Sequence, residues 1–419
     1  MPANGDRKMS LLDRMARKAV LRLLGSIADG QICLVEAGRT ERFGDAAGPG
    51  DLQVTVTVHT PRAYRSVLLG GSIGAAEAYV EGLWSCSDLT ALLRVFARNY
   101  GVLISLDRGW ARLAQLLHAA RHRLRANTRR GSRQNIAAHY DLSNDFFSLF
   151  LDETLTYSCA VFEEEGMSLA DASRAKLDRV CRKLALTGED HLLEIGSGWG
   201  SLALHAAEHF GCRVTTTTIS REQYELATRR VWEAGLDDRI SVLQQDYRDL
   251  EGTYSKIASI EMIEAVGWQN LRRFFRKCSQ LLTPNGAMVL QAITMIDQDF
   301  ERYKNSVDFI NRYIFPGGCI PSVTAMLNAV TQATDMRMLH LEDITSHYAE
   351  TLRRWRSGFL GNLEHIREMG FDERFVRMWG YYLAFCEGGF EERVIGDVQI
   401  VLAKPGWRGA APLGRLSEV

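Results

Sequence analysis

Residues 191–200 read HLLEIGSGWG, and this stretch decides the fold class. The mostly apolar HLLEI predicts a buried strand, and the glycines that follow let the backbone turn sharply and approach a ligand closely. The next ten residues, SLALHAAEHF (201–210), predict a helix whose N-terminus faces that turn. A strand, a glycine-rich turn and a helix in this order are typical of nucleotide-binding α/β proteins.

The alternation of strands and helices continues toward the C-terminus. The pattern predicts further strands at 212–220, 239–246, 256–263 and 287–294, helices at 221–235 and 268–281, a long helical region at 347–388 and a final edge strand at 398–405. Such alternation predicts a mostly parallel, doubly wound sheet with helices on both faces.

The N-terminal part of the sequence shows a different pattern of polar and apolar residues. Residues 51–61 alternate in polarity and predict a half-buried strand, and helical patterns follow at 73–81 and 88–98. We therefore divide the chain into an N-terminal α+β domain (1–105), an Arg-rich linker helix (106–134), a catalytic domain (135–405) with an insertion at 297–335, and a flexible tail (406–419).

The glycine turn itself indicates the kind of ligand. A nicotinamide cofactor requires GxGxxG and an acid ending the second strand, whereas here Gly200 comes one residue early and the strand ends in TTIS (217–220). Glu194, just before the turn, suits the amino group of a bound methionine moiety. Asp246, which ends the third strand beside Tyr247, suits the amino group of an adenine. These features predict an S-adenosylmethionine (SAM) site.

Composition and cysteine spacing limit the other possibilities. The 419 residues carry a net charge of -1, and their eight cysteines include no CxxC pair, so we predict neither a metal site nor a disulfide framework. No stretch approaches the roughly 18 apolar residues of a membrane-spanning helix, and the N-terminus shows no secretory signal. We expect a cytoplasmic protein, and a homodimer is compatible with the sequence.

Two basic stretches bear on the partners. Residues 7–24 carry six basic residues and one acid beside leucines at helical spacing, which predicts a cationic amphipathic helix. That helix either lies on an anionic membrane surface or packs on its own domain. Residues 108–133 carry eight arginines and no acid, but Trp110 is their one aromatic residue, so we favour a linker helix over nucleic-acid binding.

Six stretches occur together in the order of one known family. They are AAHYDLSNDFFSLFLDETLTYSCAVF (137–162), LLEIGSGWG (192–200), TTTISREQ (216–223), IEMIEAVG (260–267), FINRYIFPGGCIPS (309–322) and WGYYLAFCEGGF (379–390). Over residues 135–403 the chain resembles the cyclopropane-fatty-acyl-phospholipid synthases and the related mycolic acid cyclopropane synthases. The resemblance implies a Rossmann-like class I methyltransferase domain behind a smaller N-terminal domain, with SAM as methyl donor.

The resemblance also implies roles for single residues. The residues that would contact SAM are Tyr157, Ser158, Gly196, Gly198, Gly200, Thr218, Ser220 and Gln223, with Gln223 in place of the missing second-strand acid. In this family a bicarbonate ion is thought to accept a proton beside the substrate. Its pocket would correspond to Cys159, Glu264, Gln291, Ile293 and Tyr348, and Cys386 lies where the family has a cysteine near the active site.

Gln291 departs from the family pattern, which often has a histidine at this position. Glutamine can donate and accept hydrogen bonds, but it carries no charge near neutral pH.

The implied reaction joins the one-carbon unit of SAM to the cis double bond of a membrane phospholipid through a carbocation. A general base is then required to remove a proton, and bicarbonate held by Glu264 and Tyr348, or Glu264 itself, would serve.

Three alternatives stay open at this point. The cation could lose a different proton and give a methyl- or methylene-branched chain. Gln291, which departs from the family pattern, is the residue that favours considering this product. The acceptor could instead be a small amine, phenol or sterol. The chain could also be a catalytically silent lipid-binding protein that has kept the fold.

Overall fold

The computed structural model describes residues 9–45, 52–106 and 142–409. By its contacts the chain forms two compact units. The first comprises the described residues up to 106 together with 306–313 and 360–392, and the second comprises the rest. The sequence-based division placed 306–313 and 360–392 in the catalytic domain, whereas they pack with the N-terminal residues. The expected linker helix lies almost wholly outside the described residues.

The first unit is built on a four-stranded sheet of order β2-β1-β3-β4. Its strands are β1 (Gly30–Glu36), β2 (Arg39–Asp45), β3 (Gln53–Val58) and β4 (Trp84–Cys86). Its helices are α1 (Leu11–Leu24), α2 (Arg62–Val80), α3 (Leu89–Arg98), α4 (Tyr100–Leu106) and two from late in the chain, α13 (Leu363–Glu368) and α14 (Glu373–Glu391). The predicted smaller α+β domain is confirmed as a fold class, although the sequence pattern showed β3 alone of its four strands.

Helix α1 packs on its own unit through small and branched side chains. Ala16, Val20 and Leu24 are buried, and the Arg17 guanidinium pairs with Glu36 of β1 and Glu41 of β2. The opposite face exposes apolar and basic residues together, namely Leu11, Arg14, Met15, Lys18 and Arg22. The packed face is therefore not the leucine-rich face that the sequence pattern indicated.

The second unit is built on a seven-stranded sheet of order β10-β11-β9-β8-β5-β6-β7. The strands are β5 (His191–Ile195), β6 (Arg213–Thr218), β7 (Ile240–Gln244), β8 (Tyr254–Ile260), β9 (Leu282–Met295), β10 (Arg337–Asp343) and β11 (Ile395–Ala403). The helices are α5 (Asn144–Ser148), α6 (Leu169–Lys183), α7 (Ser201–Phe210), α8 (Arg221–Glu233), α9 (Leu271–Leu281), α10 (Asp297–Tyr303), α11 (Val323–Ala333) and α12 (Thr345–Gly361).

The predicted mostly parallel sheet is confirmed, since β7, β6, β5, β8 and β9 pair in parallel. Two apolar clusters, one around Phe274 and Met288 and the other around Val180 and Leu202, supply its core.

The prediction that the last strand lies at the edge is wrong. Strand β11 pairs antiparallel with β9 on one side and with β10 on the other. The predicted helical region 347–388 is also broken into α12, α13 and α14, of which the last two belong to the first unit. Among the described residues, no helix is both long and apolar enough to cross a membrane.

Candidate active site

The glycine turn leaves strand β5 in a conformation that side chains disfavour. Gly196, Gly198 and Gly200 have φ values of 97°, 50° and 89°. The N–H groups of Gly196 and Ser197 both donate to the Thr217 carbonyl oxygen, at 3.0 and 2.9 Å. A Cβ on Gly196 would lie 3.1 Å from the Met262 side chain, so the turn lies against the residues that follow β8.

Glu194 lies below this turn and is buried. It accepts a hydrogen bond of 2.5 Å from the Thr216 hydroxyl. Burial raises its pKa to about 8, although the Thr216 bond and the Lys176 ammonium act in the opposite direction. A cationic amino group brought to this carboxyl would stabilise its ionised form.

Three of the residues expected to contact SAM, namely Thr218, Ser220 and Gln223, are connected to one another. The Thr218 hydroxyl donates to Gln223 Oε1 at 2.8 Å and accepts from the Ser220 N–H at 3.1 Å. Ser220 caps helix α8 by accepting from the Gln223 N–H at 3.3 Å. This arrangement keeps the buried Gln223 side chain at the carboxyl end of β6, where α/β sheets bind ligands.

Asp246 is also placed at the carboxyl end of a strand, but it is already engaged. Arg248 donates to both of its oxygens, at 2.8 and 2.5 Å, and both side chains are buried. The Tyr247 ring beside it packs edge-on against Phe274. An adenine amino group at this position would therefore share the Asp246 carboxylate with Arg248.

Tyr157 and Ser158 connect the donor side of the site to an aromatic cluster. The Tyr157 ring centroid lies 5.1 Å from that of Trp355 and 5.3 Å from that of Phe147. The Ser158 hydroxyl accepts a hydrogen bond of 2.8 Å from the buried Lys176 ammonium.

Three residues that the resemblance assigned to bicarbonate converge instead on Glu261. The Cys159 N–H and Gln291 Nε2 donate to Glu261 Oε1 at 2.8 and 2.7 Å. The Tyr348 hydroxyl donates to Glu261 Oε2 at 2.5 Å. Glu261 follows β8 directly and has a φ of 48°, which is uncommon for a residue with a side chain.

The orientation of Gln291 is fixed by a directed series of donors. Lys183, which can only donate, binds Gln399 Oε1 at 2.6 Å. Gln399 Nε2 then donates to Gln291 Oε1 at 3.0 Å, so Gln291 Nε2 must face Glu261 and Asp397. The neutral amide therefore acts purely as a donor toward these two carboxyls.

Two further buried carboxyls complete the cluster. Glu264 Oε1 accepts from the Ile293 N–H at 2.7 Å, whereas its Oε2 has no hydrogen-bond partner among the described residues. Burial and the charge of Glu261 raise the pKa of Glu264 to about 8. Burial, Glu261 and Glu264 raise the pKa of Asp397 well above its usual range.

These contacts decide how an added anion fits. Of the five residues expected to form the bicarbonate pocket, Cys159, Gln291 and Tyr348 bind Glu261, and Ile293 binds Glu264. Bicarbonate does not fit this arrangement, because the hydrogen-bond donors that would bind it already bind carboxylates of the chain. Glu264 and Tyr348 were both expected to bind the bicarbonate ion. Glu264 instead accepts from the Ile293 N–H, and Tyr348 donates to Glu261.

Burial disfavours the thiolate form of both cysteines of the predicted site. Burial raises the pKa of the Cys159 thiol well above its usual range, so that it stays protonated. Cys386 lies on α14 in the first unit, and burial also raises the pKa of its thiol.

Sequence reasoning missed Glu261, Lys176 and Asp397, although each had a signal. Glu261 is the first residue after a buried strand, at the sheet edge where ligands bind. Lys176 falls on the buried face of α6 between Ala172 and Val180. Asp397 and Gln399 are the two polar side chains of a mostly apolar strand. Polar residues at buried positions of this kind are the informative exceptions in a sequence.

The sheet order and the glycine turn define the class as a class I SAM-dependent methyltransferase. A model of one family, described as mycolic acid cyclopropane synthetase, matches residues 127–400. The chain belongs to this family.

Relatives of known name cover most of the chain. It is 39% identical over 372 residues to tuberculostearic acid methyltransferase UfaA1 of Mycobacterium tuberculosis, a match that covers 87% of this chain and 86% of that protein. It is 34% identical over 355 residues to the cyclopropane-fatty-acyl-phospholipid synthase of Escherichia coli strain K12, covering 85% and 89%.

Solved structures agree over the catalytic region. The cyclopropane synthase MmaA2 from Mycobacterium tuberculosis superposes with a TM-score of 0.61 at 30% identity, over 65% of this chain and 98% of that one. The mycolic acid cyclopropane synthase CmaA1, in complex with SAH and CTAB, gives a TM-score of 0.61 at 31% identity, with the same coverage.

Proposed function

We propose that the chain adds a one-carbon unit from SAM to the cis double bond of an unsaturated phospholipid acyl chain. The observation that carries this proposal is the half-buried Glu261, which lies beside the glycine turn and accepts hydrogen bonds from three donors. A methyl transfer to nitrogen or oxygen removes a proton that leaves readily. A transfer to an alkene requires a base for a C–H proton in a site that excludes water.

The aromatic cluster supports a cationic intermediate. The Tyr348 hydroxyl binds Glu261, and its ring lies 6.2 Å from Trp355, which in turn packs against Tyr157. Rings in this position stabilise positive charge through their π faces, while the carboxylate supplies a negative charge on the same side. The residues that would hold SAM are the glycine turn, Glu194 and the Thr218–Gln223 stretch. Bound SAM supplies the electrophilic methyl group.

Two products are supported by different observations. Ring closure to a cyclopropane fatty acid follows from the family motifs and from the 34% identity to a cyclopropane-fatty-acyl-phospholipid synthase. A methyl- or methylene-branched chain is favoured by the 39% identity to a tuberculostearic acid methyltransferase, and by the neutral Gln291. A ring and a methylene branch each gain one CH2 and release one proton, whereas a saturated methyl branch needs two further hydrogen atoms from a reductant.

Substrate access is proposed to occur at the membrane surface. Helix α1 exposes 69% of Leu11 and 58% of Met15 on the face that also carries Arg14, Lys18 and Arg22. An exposed face that is both apolar and basic has the chemistry for peripheral contact with an anionic lipid surface. We propose peripheral association with the inner face of the membrane through this helix.

The purified protein should be incubated with SAM and vesicles of cis-unsaturated phospholipid, and the fatty acids analysed by mass spectrometry. We expect a gain of one CH2. Mild hydrogenation then separates the products, because a ring resists it and a methylene branch takes up hydrogen. If no CH2 is gained although calorimetry shows SAM binding, the lipid proposal fails, and a small amine, phenol or sterol acceptor should be tested next.

A further inference from the structure

We infer that Glu261 is the resident base of this enzyme and takes the place of an added bicarbonate ion. The inference rests on the proposed function, since a C–H proton must be removed. It concerns the atom that receives this proton.

Three hydrogen-bond donors surround the Glu261 carboxylate. A backbone N–H (Cys159), an amide N–H (Gln291) and a phenol O–H (Tyr348) all end on its two oxygens. Three donors directed at one carboxylate stabilise its ionised form. Because Lys183 and Gln399 fix the direction of the Gln291 amide, that donor cannot reverse.

The three carboxyls of the cluster differ in how well their negative charge is stabilised. Glu264 has one bond from a backbone N–H, and its other oxygen has no partner among the described residues. The buried Lys176 ammonium acts on both Glu261 and Asp397. Like charges in a buried site disfavour a second ionisation, and both Glu264 and Asp397 have raised pKa values. Burial also raises the pKa of Glu261, but the hydrogen bonds from Tyr348, Cys159 and Gln291 and the Lys176 ammonium act to lower it. Ionisation of the cluster is therefore favoured first at Glu261, which has the most hydrogen-bond donors.

The backbone at Glu261 adopts an uncommon conformation. Its φ of 48° lies in the left-handed region, where a side chain costs free energy and glycine does not. Strain of this kind persists where the surrounding structure requires the residue. The three hydrogen bonds to the Glu261 carboxylate supply that requirement.

The proposed reaction balances in atoms and electrons. The alkene π electrons form a bond to the SAM methyl carbon, the C–S bond breaks with its electrons on sulfur, and a cation remains on the adjacent chain carbon. A C–H bond of the new methyl group then breaks, and its proton goes to a Glu261 oxygen. The electron pair closes the three-membered ring or, after a hydride shift, forms an exocyclic C=C bond. The carboxylic acid loses its proton to water after product release.

The test begins with the unaltered protein. Turnover of cis-unsaturated phospholipid vesicles should be measured in buffer freed of carbon dioxide and again with added bicarbonate. We expect the two rates to agree within about twofold. A tenfold or greater loss on removing bicarbonate would overturn the inference.

Three variants then locate the base. Glu261→Gln keeps the size of the side chain and should lose about a hundredfold or more in turnover, whereas the exposed Glu251→Gln should match the parent protein. SAM binding by calorimetry and the unfolding midpoint should be unchanged in both, which separates loss of the base from loss of the fold. If Glu264→Gln is the inactive variant and Glu261→Gln is active, the base is Glu264 and the inference is wrong.

Glu261→Gly should free the Cys159, Gln291 and Tyr348 donors for a small anion. We expect added bicarbonate to raise its turnover at least about tenfold and to leave Glu261→Gln unchanged, because the amide still fills the space. No recovery in the glycine variant would overturn the assignment of Glu261 to the position of the anion. Failure of the proposed function looks different, because the unaltered protein would then give no CH2 gain at any bicarbonate concentration.

Discussion

At the scale of single residues, Lys176 connects the two halves of the site. Its ammonium is buried on α6, donates to the Ser158 hydroxyl, and acts electrostatically on Glu194 as well as on Glu261 and Asp397. Burial lowers the pKa of Lys176, and the surrounding carboxyls oppose this effect. We therefore regard it as a positioning residue that keeps Glu261 ionised.

Replacing this lysine should change the pH profile rather than the fold alone. In Lys176→Met the pKa of Glu261 should rise, so that turnover near pH 7 falls about tenfold and the acidic limb of the pH–rate profile moves up by about one unit or more. Lys256→Met is the matched control, because Lys256 is also buried but binds the Leu184 carbonyl and Asp190. An acidic limb that stays in place in Lys176→Met contradicts this role.

The site shows what a sequence can and cannot reveal about single residues. The positions of the residues expected to contact SAM could be predicted, because they lie close together in sequence and follow the ends of successive strands. The choice between Glu261 and Glu264 as the base could not be predicted, since both lie in IEMIEAVG. It depends on the partners of Glu261, which are Cys159, Gln291 and Tyr348. These partners are 102, 30 and 87 residues away from Glu261, so only the folded chain brings them together.

At the scale of elements, local sequence patterns predicted whether a segment is a helix or a strand better than they predicted its place in the sheet. The parallel strands β5 to β9 follow from apolar runs between helices. The antiparallel strand β10 did not, because RMLHLED has no regular alternation and leaves Met338 and Leu339 exposed. Missing β10 made β11 look like an edge, although Val398, Ile400 and Leu402 are buried.

Helix α1 makes a prediction at the same scale. Replacing Leu11 and Met15 by serine should weaken binding to anionic vesicles about tenfold or more, because two exposed apolar contacts with the lipid are lost. Replacing Lys18 and Arg22 by glutamine should instead make the remaining binding less sensitive to salt.

Flotation with vesicles at several salt concentrations measures both effects. The control replaces Met338 and Leu339 of β10 by serine, since these are similarly exposed apolar residues in the other unit. Equal losses in the α1 and β10 variants would mean that α1 is not the membrane contact.

At the scale of the whole molecule, the active site costs stability as the pH rises. Glu194 and Glu264 have pKa values of about 8 in the folded chain, against an ordinary value of 4.5. Between these values the folded state binds more protons than the unfolded state, so the free energy of unfolding falls as the pH increases. Each group contributes at most about 1.4 kcal/mol per pH unit in this window.

Glu342 acts in the opposite sense at lower pH. Its hydrogen bonds with Arg179 and Lys183 lower its pKa to about 2, against the effect of its partial burial. This stabilisation is present above about pH 4.5 and is lost as the pH falls toward 2. The pKa of His205 is lowered to about 4 by burial, which also makes the free energy of unfolding rise with pH up to about 6.5. The decline caused by Glu194 and Glu264 therefore dominates above that pH.

Urea unfolding at a series of pH values between about 6.5 and 8 measures the decline caused by Glu194 and Glu264. The free energy of unfolding should decline with pH in the unaltered protein, and the decline should be shallower in the double variant Glu194→Gln, Glu264→Gln, which has no carboxyl to ionise at either position. Glu251→Gln should keep the full decline, because that side chain is exposed. A decline equally steep in the double variant would show that these two carboxyls ionise at ordinary pH. The buried negative charge would then not be confined to Glu261, and the charge argument for that residue as the base would fail.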